Sequence, residues 1–373
     1  MRIAVQGAGI IGLSIAWRAL SAGLDVTVYD DDPARGASNV AAGMLAPVAE
    51  AYFGEADLLR LSLASAARWP EFAASLGEVG YRDDGTLLVG RTGDDLRELA
   101  RLFQLYTEWE LPAEKVDPRA LEPALTPRLR GGLLTPGDHQ VDPRRVLAAL
   151  RERVPVRAEA PAGVDVTVVA TGAWTGRPGG ATAGSAPGVG AAAGDPAAAG
   201  GGAAGPGGAA GSGGAAAFGG AAAGLPVRPV HGEVLRLRGK PSIRHVIRGY
   251  IDGKYVYIVP RRDGEVVVGA TTAERGFSTR VTAEGVRDLL DTAIEVLPEL
   301  ADYELVEARA GLRPGTPDNA PLIGWLDDHT LAATGHYRHG VLLGPITAEV
   351  VTALLLRQEP AVDLAPFAPG RFS

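Results

Sequence analysis

Apolar and polar positions alternate with two periods along this chain. The apolar run Arg2–Gln6 gives way to glycines and then to apolar residues at helical spacing from Ile10 to Ala22, with Gly23 as the stop. Asp25–Asp30 follows with a period of two and ends in an acid. The helical period returns in Asp57–Leu76 (Leu58, Leu61, Ala64 and Trp69 near one face), Asp94–Trp109, the segment after Asp142-Pro143, Thr282–Leu297 and Gly344–Arg357. Asp142 and Thr282 stand where N-caps belong, and Pro143 takes the first helical position. Strand-like segments are Tyr81–Gly90, Val164–Ala170, Gly232–Leu237, Tyr255–Pro260, Glu265–Thr271, Tyr303–Leu312 and His329–Thr334. Arg261–Gly264 reads as a hairpin turn, Ala120–Pro123 as a short turn, and His139 as an exposed loop residue without a partner.

This order predicts an α/β protein. A Rossmann-like half with a parallel sheet would be assembled from residues 1–80, 142–175 and 305–373, and a β-rich second domain from 81–141 and 225–304. Residues 176–224 are almost wholly Gly, Ala and Pro and cannot bury enough apolar area to offset their ordering entropy. They are expected to form a flexible surface insertion.

Composition narrows the function. A chain of 373 residues with a formal charge of -8 has room for two domains and lacks the basic face that nucleic acid or an anionic membrane requires. It contains no cysteine, which excludes disulfides, thiolate metal sites, a cysteine nucleophile and a cysteine-tethered cofactor. No apolar run is long enough to span a bilayer. Arg2, the apolar run and Ala19–Ala22 imitate a signal peptide, but glycines interrupt the run and an acid-ended strand follows. A soluble cytoplasmic protein is the expectation.

The glycines carry the first candidate chemistry. Gly7, Gly9 and Gly12 stand in G-x-G-x-x-G spacing between a strand and a helix. The first allows a tight turn, the second a close approach of pyrophosphate to the backbone, the third close helix–strand packing. The helix N-terminus offers unpaired N–H groups to phosphates, and Asp30 is spaced to accept hydrogen bonds from a ribose. A dinucleotide site follows. Small residues in Ala37–Pro47 suit backbone lying on a flat ligand, and the apolar strand ending in Thr171-Gly172-Ala173-Trp174 suits a second approach to it.

Taken together, Gly7–Gly12, Ala37–Pro47 (ASNVAAGMLAP), Val168–Trp174 (VVATGAW), Tyr257–Thr271 (YIVPRRDGEVVVGAT), Ala310–Gly324 (AGLRPGTPDNAPLIG) and Gly335–Gly340 (GHYRHG) resemble the flavin-dependent D-amino acid oxidase family, and within it the glycine oxidases of thiamine biosynthesis. The resemblance implies non-covalent FAD. Gly7, Gly9, Ile10, Ile11 and Gly12 would lie at the pyrophosphate, Asp30 on the ribose, and Ala37 and Ser38 along the phosphates. Val156 would meet the adenine. Ala42, Gly43 and Met44 would line the isoalloxazine, with Thr171 and Gly172 on the second approach. His336, Tyr337, Arg338, His339, Gly340, Val341 and Leu342 would give backbone contacts near the last helix. Arg313 would bind the substrate carboxylate and Tyr257 would donate to it. Arg338, Tyr255 and Thr272 would line the same pocket. A guanidinium paired with a carboxylate fixes both the position and the rotation of a small acid.

The implied reaction is oxidation of glycine to its imine, which hydrolyses to glyoxylate and ammonia or passes to thiazole synthesis, with oxygen reduced to hydrogen peroxide. The resemblance implies a small amino acid and oxygen as reactants. A hand-off to a thiazole synthase and assembly into a homo-oligomer are compatible with it. No protein base is assigned, since the flavin carries the chemistry. Oxidation of sarcosine, D-alanine or D-proline is the nearest alternative, because one methylene discriminates by only about 1–3 kcal/mol. An NAD-linked dehydrogenase and a flavoprotein serving only as a scaffold are the others.

Overall fold

The structure is a computed structural model that describes residues 1–175 and 222–372. The strand Arg2–Gln6 pairs in parallel with Asp25–Tyr29 on one side and with Val166–Val169 on the other. Val156–Arg157 extends the sheet beyond Asp25–Tyr29, and Thr330–Thr334 and then Leu322–Trp325 extend it beyond Val166–Val169. Only the last pairing of the six strands is antiparallel. The helices Ile10–Ser21, Pro143–Arg153 and Gly344–Leu355 pack together and with this sheet around Leu13, Ile15, Leu147, Ile346 and Val350. Gly344–Leu355 is apolar nearly all round, as a helix covered on most sides must be.

Eight further strands form a second sheet, in the order Glu304–Gly315, Arg228–Arg238, Glu265–Gly269, Lys254–Pro260, Val246–Ile251, Thr86–Gly90, Gly131–Thr135 and Glu114–Val116. Its pairings are antiparallel except that of Val246–Ile251 with Thr86–Gly90. The period of two along a strand separates its faces. Val256, Ile258, Val266 and Val268 pack with Leu289, Ala293 and Val296 of the helix Ala283–Val296. Tyr257, Val259 and Val267, one position out of step, face the opposite side with Val40 and Ala42.

The α/β class stands, and several elements depart from expectation. Asp57–Leu76 is two helices, Ala56–Ala66 and Trp69–Leu76, because Pro70 has no N–H and its ring would clash with the carbonyl of residue 66. Ala120–Pro123 overlaps a four-residue helix, Pro118–Leu121. His139 is half-buried, with Nδ1 2.6 Å from the Tyr81 hydroxyl, not an exposed residue without a partner. The strand Glu304–Gly315, assigned with the cofactor half from residue 305, hydrogen-bonds in the eight-stranded sheet. The Gly/Ala/Pro stretch lies outside the described residues up to 221. Its last residues form a turn in which Leu225 N donates to Ala222 O at 3.2 Å. No helix among the described residues is long and apolar enough to cross a membrane.

Candidate active site

A cavity of about 810 Å³ opens where the two sheets meet, within the size range of cofactor sites. One end lies at the glycine turn. Gly7 has φ +106°, and a Cβ there would stand 2.4 Å from Ala170 O. A Cβ on Gly12 would fall 1.9 Å from Gly7 O, so this glycine brings the helix onto the turn from behind and does not line the cavity. Gly9 does line it. The N-cap Gly9 offers no side chain to the helix end, and Ser38 Oγ from the following loop accepts from Ile10 N at 3.0 Å instead. Asp30 closes the turn, its Oδ2 accepting from Ala8 N at 2.8 Å and its Oδ1 from Asp32 N at 3.0 Å. Each carboxylate oxygen keeps a further lone pair for a ligand.

Ala42, Gly43 and Met44 form the floor. A Cβ on Gly43, at φ +82°, would lie 2.0 Å from Val141 O, so this backbone is pressed against the chain behind it. Arg261 pins the same stretch. It is buried, donates through Nη1 to Gln140 Oε1 at 3.0 Å and through Nη2 to Ala42 O, and burial pulls its guanidinium down to about 10.

The other end is built by the eight-stranded sheet and the loop before the last helix. Tyr255, Tyr257, Thr272 and Arg313 line it, with His336, Tyr337, Arg338, Gly340 and Val341. Arg313 donates through Nη1 to Thr271 O at 3.2 Å and to His231 O at 3.4 Å, and no carboxylate among the described residues pairs with it. Burial pushes the Tyr257 hydroxyl above its ordinary range against the opposing pull of Arg313, so it remains a donor at neutral pH. Tyr337 N donates to Pro314 O at 3.0 Å, which joins the loop to the strand carrying Arg313.

Four of the residues assigned to the cofactor from sequence do not line the cavity: Gly12, Val156, His339 and Leu342. Val156 is taken up in the sheet opposite Val28, and Ala158, Glu159 and Ala160 line the cavity beyond it. The Leu342 carbonyl is turned into the core, where Ser65 Oγ donates to it at 2.6 Å and Trp69 Nε1 at 2.8 Å. The His339 imidazole lies with Nδ1 3.3 Å from Glu50 Oε2.

The sequence reading passed over Glu50, Arg35 and Gly232, all of which line the cavity; Trp174, which closes the second-approach motif, lines it too. Burial pushes the Glu50 carboxyl up, but Arg248, His339 and Arg338 outweigh it and hold the carboxyl below its usual range. Arg248 Nη1 stands 2.9 Å from Glu50 Oε1 with its N–H directions off the oxygen, so the contact is an ion pair without an aligned hydrogen bond. Arg35 lies over the Trp174 ring at 4.8 Å, and Trp174 stacks on Phe277. A lone acid just after the small-residue loop was the available signal for Glu50; nothing local marked Arg35 or Gly232.

Known proteins are similar to this chain in sequence and fold. The model of the family described as FAD dependent oxidoreductase (DAO) matches residues 2–194 and 198–354. The chain is 33% identical over 377 residues to the bifunctional protein ThiO/ThiG of Synechocystis sp., covering 99% of this chain and 54% of that protein. It thus spans about half the length of that relative. It is 30% identical over 408 residues to the glycine oxidase of Geobacillus kaustophilus, covering 99% of this chain and 96% of the relative. The crystal structure of glycine oxidase from Geobacillus kaustophilus superposes with a TM-score of 0.80 at 28% identity, covering 99% of this chain and 98% of that one. The resemblance read from the motifs is borne out, and the chain belongs to the family of FAD dependent oxidoreductases.

Proposed function

We propose that this protein oxidises glycine to its imine, with FAD as acceptor and oxygen as the terminal oxidant. The observation that carries the reading is Arg313, a guanidinium in the cavity whose Nη1 is held by two main-chain carbonyls and which has no carboxylate partner among the described residues. It is matched to a small acid, and Tyr257 beside it supplies a neutral donor. The names of the relatives support the same choice of substrate.

The residues at the other end fit FAD. A Cβ on Gly9 would meet only the Ser38 hydroxyl, at 3.4 Å, so the first turn of the helix is open to a pyrophosphate. Gly7, Gly9, Ile10, Ile11, Ala37 and Ser38 would hold the phosphates, Asp30 the ribose, and the backbone of 158–160 the adenine. Ala42–Met44 and the loop 336–341 would hold the ring. When bound, FAD accepts the hydride that leaves the substrate α-carbon and passes two electrons to oxygen, giving hydrogen peroxide.

The chain's own residues orient and enclose. Arg313 would fix the carboxylate, and Tyr257 would donate to one of its oxygens. Tyr255, Thr272 and Arg338 would close the wall, so that the α-carbon meets the ring in one orientation. His336 is buried and kept neutral, and no residue is assigned to abstract a proton. The imine leaves to hydrolyse to glyoxylate and ammonia, or in the cytoplasm to feed a thiazole synthase, a link suggested by the fused ThiO/ThiG relative. The test is the visible spectrum of the purified flavoprotein before and after anaerobic glycine, followed by initial rates with glycine, sarcosine, D-alanine and D-proline in air. Bleaching by glycine and peroxide on admitting oxygen are expected. A spectrum that glycine leaves unchanged overturns the reading.

A further inference from the structure

Glu233 is buried at 2% exposure one residue from Gly232 at the cavity wall, and no cation among the described residues pairs with it. Its carboxylate is nonetheless fully engaged. Oε1 accepts from Thr282 N at 2.7 Å and from Thr282 Oγ1 at 2.9 Å, and Oε2 accepts from Thr271 Oγ1 at 3.0 Å. Thr282 in turn caps the helix Ala283–Val296, accepting from Gly285 N at 3.1 Å. The carboxylate sits so close to this helix end that a Cβ on Gly285 would fall 1.7 Å from Oε2. A negative charge at the start of a helix is stabilised by its unpaired N–H groups, which explains why the acid needs no basic partner.

The same residue grips Thr271 from both sides. Glu233 N donates to Thr271 Oγ1 at 2.9 Å, and Glu233 O accepts from Thr271 N at 3.3 Å. Thr271 O is the carbonyl that receives Arg313 Nη1 at 3.2 Å, and its neighbours Ala270 and Thr272 line the cavity. We infer that Glu233 and Thr271 are positioning residues for Arg313. The helix end anchors the carboxylate, the carboxylate fixes the threonine, and the threonine carbonyl sets the rotation of the guanidinium that meets the substrate acid. This rests on the reading of Arg313 as the carboxylate anchor.

The experiment compares Thr271→Val, Thr271→Ser, Glu233→Gln and Arg313→Ala as flavin-loaded enzymes. For Thr271→Val and Glu233→Gln the KM for glycine is expected to rise about tenfold with kcat within about twofold, while Thr271→Ser, which keeps the hydroxyl, stays near the parent. Acetate, a carboxylate without an amine, provides a readout without turnover: its perturbation of the flavin spectrum should saturate at about tenfold higher concentration in the same two variants. A Thr271→Val enzyme that folds, holds flavin and binds acetate and glycine as the parent does overturns the inference, provided that Arg313→Ala weakens both. If Arg313→Ala weakens neither, the anchor reading itself has failed. Should Glu233→Gln not fold, Thr271→Val and Thr271→Ser decide alone.

Discussion

The guanidinium of Arg313 fills the space that a side chain at position 232 would need: a Cβ on Gly232 would lie 2.1 Å from Nη1. Gly232→Ala is therefore expected to displace the anchor without altering its charge. KM for glycine should rise by about tenfold or more with flavin retained, and Arg313→Ala should do the same. Steady-state kinetics on both singles and the double variant check it. The double should be little worse than Arg313→Ala alone, since one guanidinium is lost by either route.

Ser38 supplies the cap that Gly9 lacks. Ser38→Ala removes the acceptor of Ile10 N and should cost the cofactor site about 1 kcal/mol, a severalfold weaker binding of FAD. Titration of apoprotein with FAD, followed by flavin fluorescence, reads this directly. An unchanged dissociation constant would remove Ser38 from the phosphate end.

The pair of buried Arg248 and largely buried Glu50 should be sensitive to removal of either half. Arg248→Met leaves a carboxylate buried beside His339 and is expected to lose about 3–5 kcal/mol of stability. Glu50→Gln combined with Arg248→Met should recover much of that loss. Urea unfolding of the single and double variants, with equal slopes, measures it.

Burial, with a smaller contribution from His339, pulls His336 from an ordinary 6.5 down to about 3. Between these values the unfolded chain takes up a proton at this histidine and the folded chain does not. Its contribution to stability is thus present above about pH 6.5 and is lost as pH falls toward 3. His336→Gln places an amide near Thr347 Oγ1, which the imidazole Nε2 meets at 3.0 Å, and removes the titration. The variant should lose less stability than the parent between pH 7 and pH 4 in denaturant titrations at each pH. Parallel losses in the two proteins would refute the assignment.

Local signals in the sequence account for the elements it revealed. The glycine turn is legible because backbone approach demands glycine at fixed spacing, and the contacts at Gly7 and Gly12 are those the spacing implies. Tyr255 and Tyr257 were reached only through the family resemblance, and Arg313 through the same resemblance and its place at a strand end before a Pro-Gly-Thr-Pro turn. Val156 lies outside the cavity lining because the chain stays in the sheet through Arg157, and the lining begins at Ala158. The pairing of Glu50 with Arg248 was not legible. They lie on segments far apart in sequence, and only the closed fold makes an acid in a small-residue loop and an arginine on an apolar strand into partners. His139 was misjudged for the same reason, since its partner Tyr81 lies on another segment.

The bond from Tyr337 N to Pro314 O ties the loop that follows a strand of the six-stranded sheet to the strand of the eight-stranded sheet that carries Arg313. A rocking of one sheet against the other would work against this bond, which thereby holds the spacing between Arg313 and the loop. Selectivity can then drift through Tyr255 and Thr272, which sit on other strands and loops, while the reach from anchor to ring is preserved. On the proposed function, a change at Tyr255 or Thr272 would alter which amine is accepted and leave the spacing set by this bond in place.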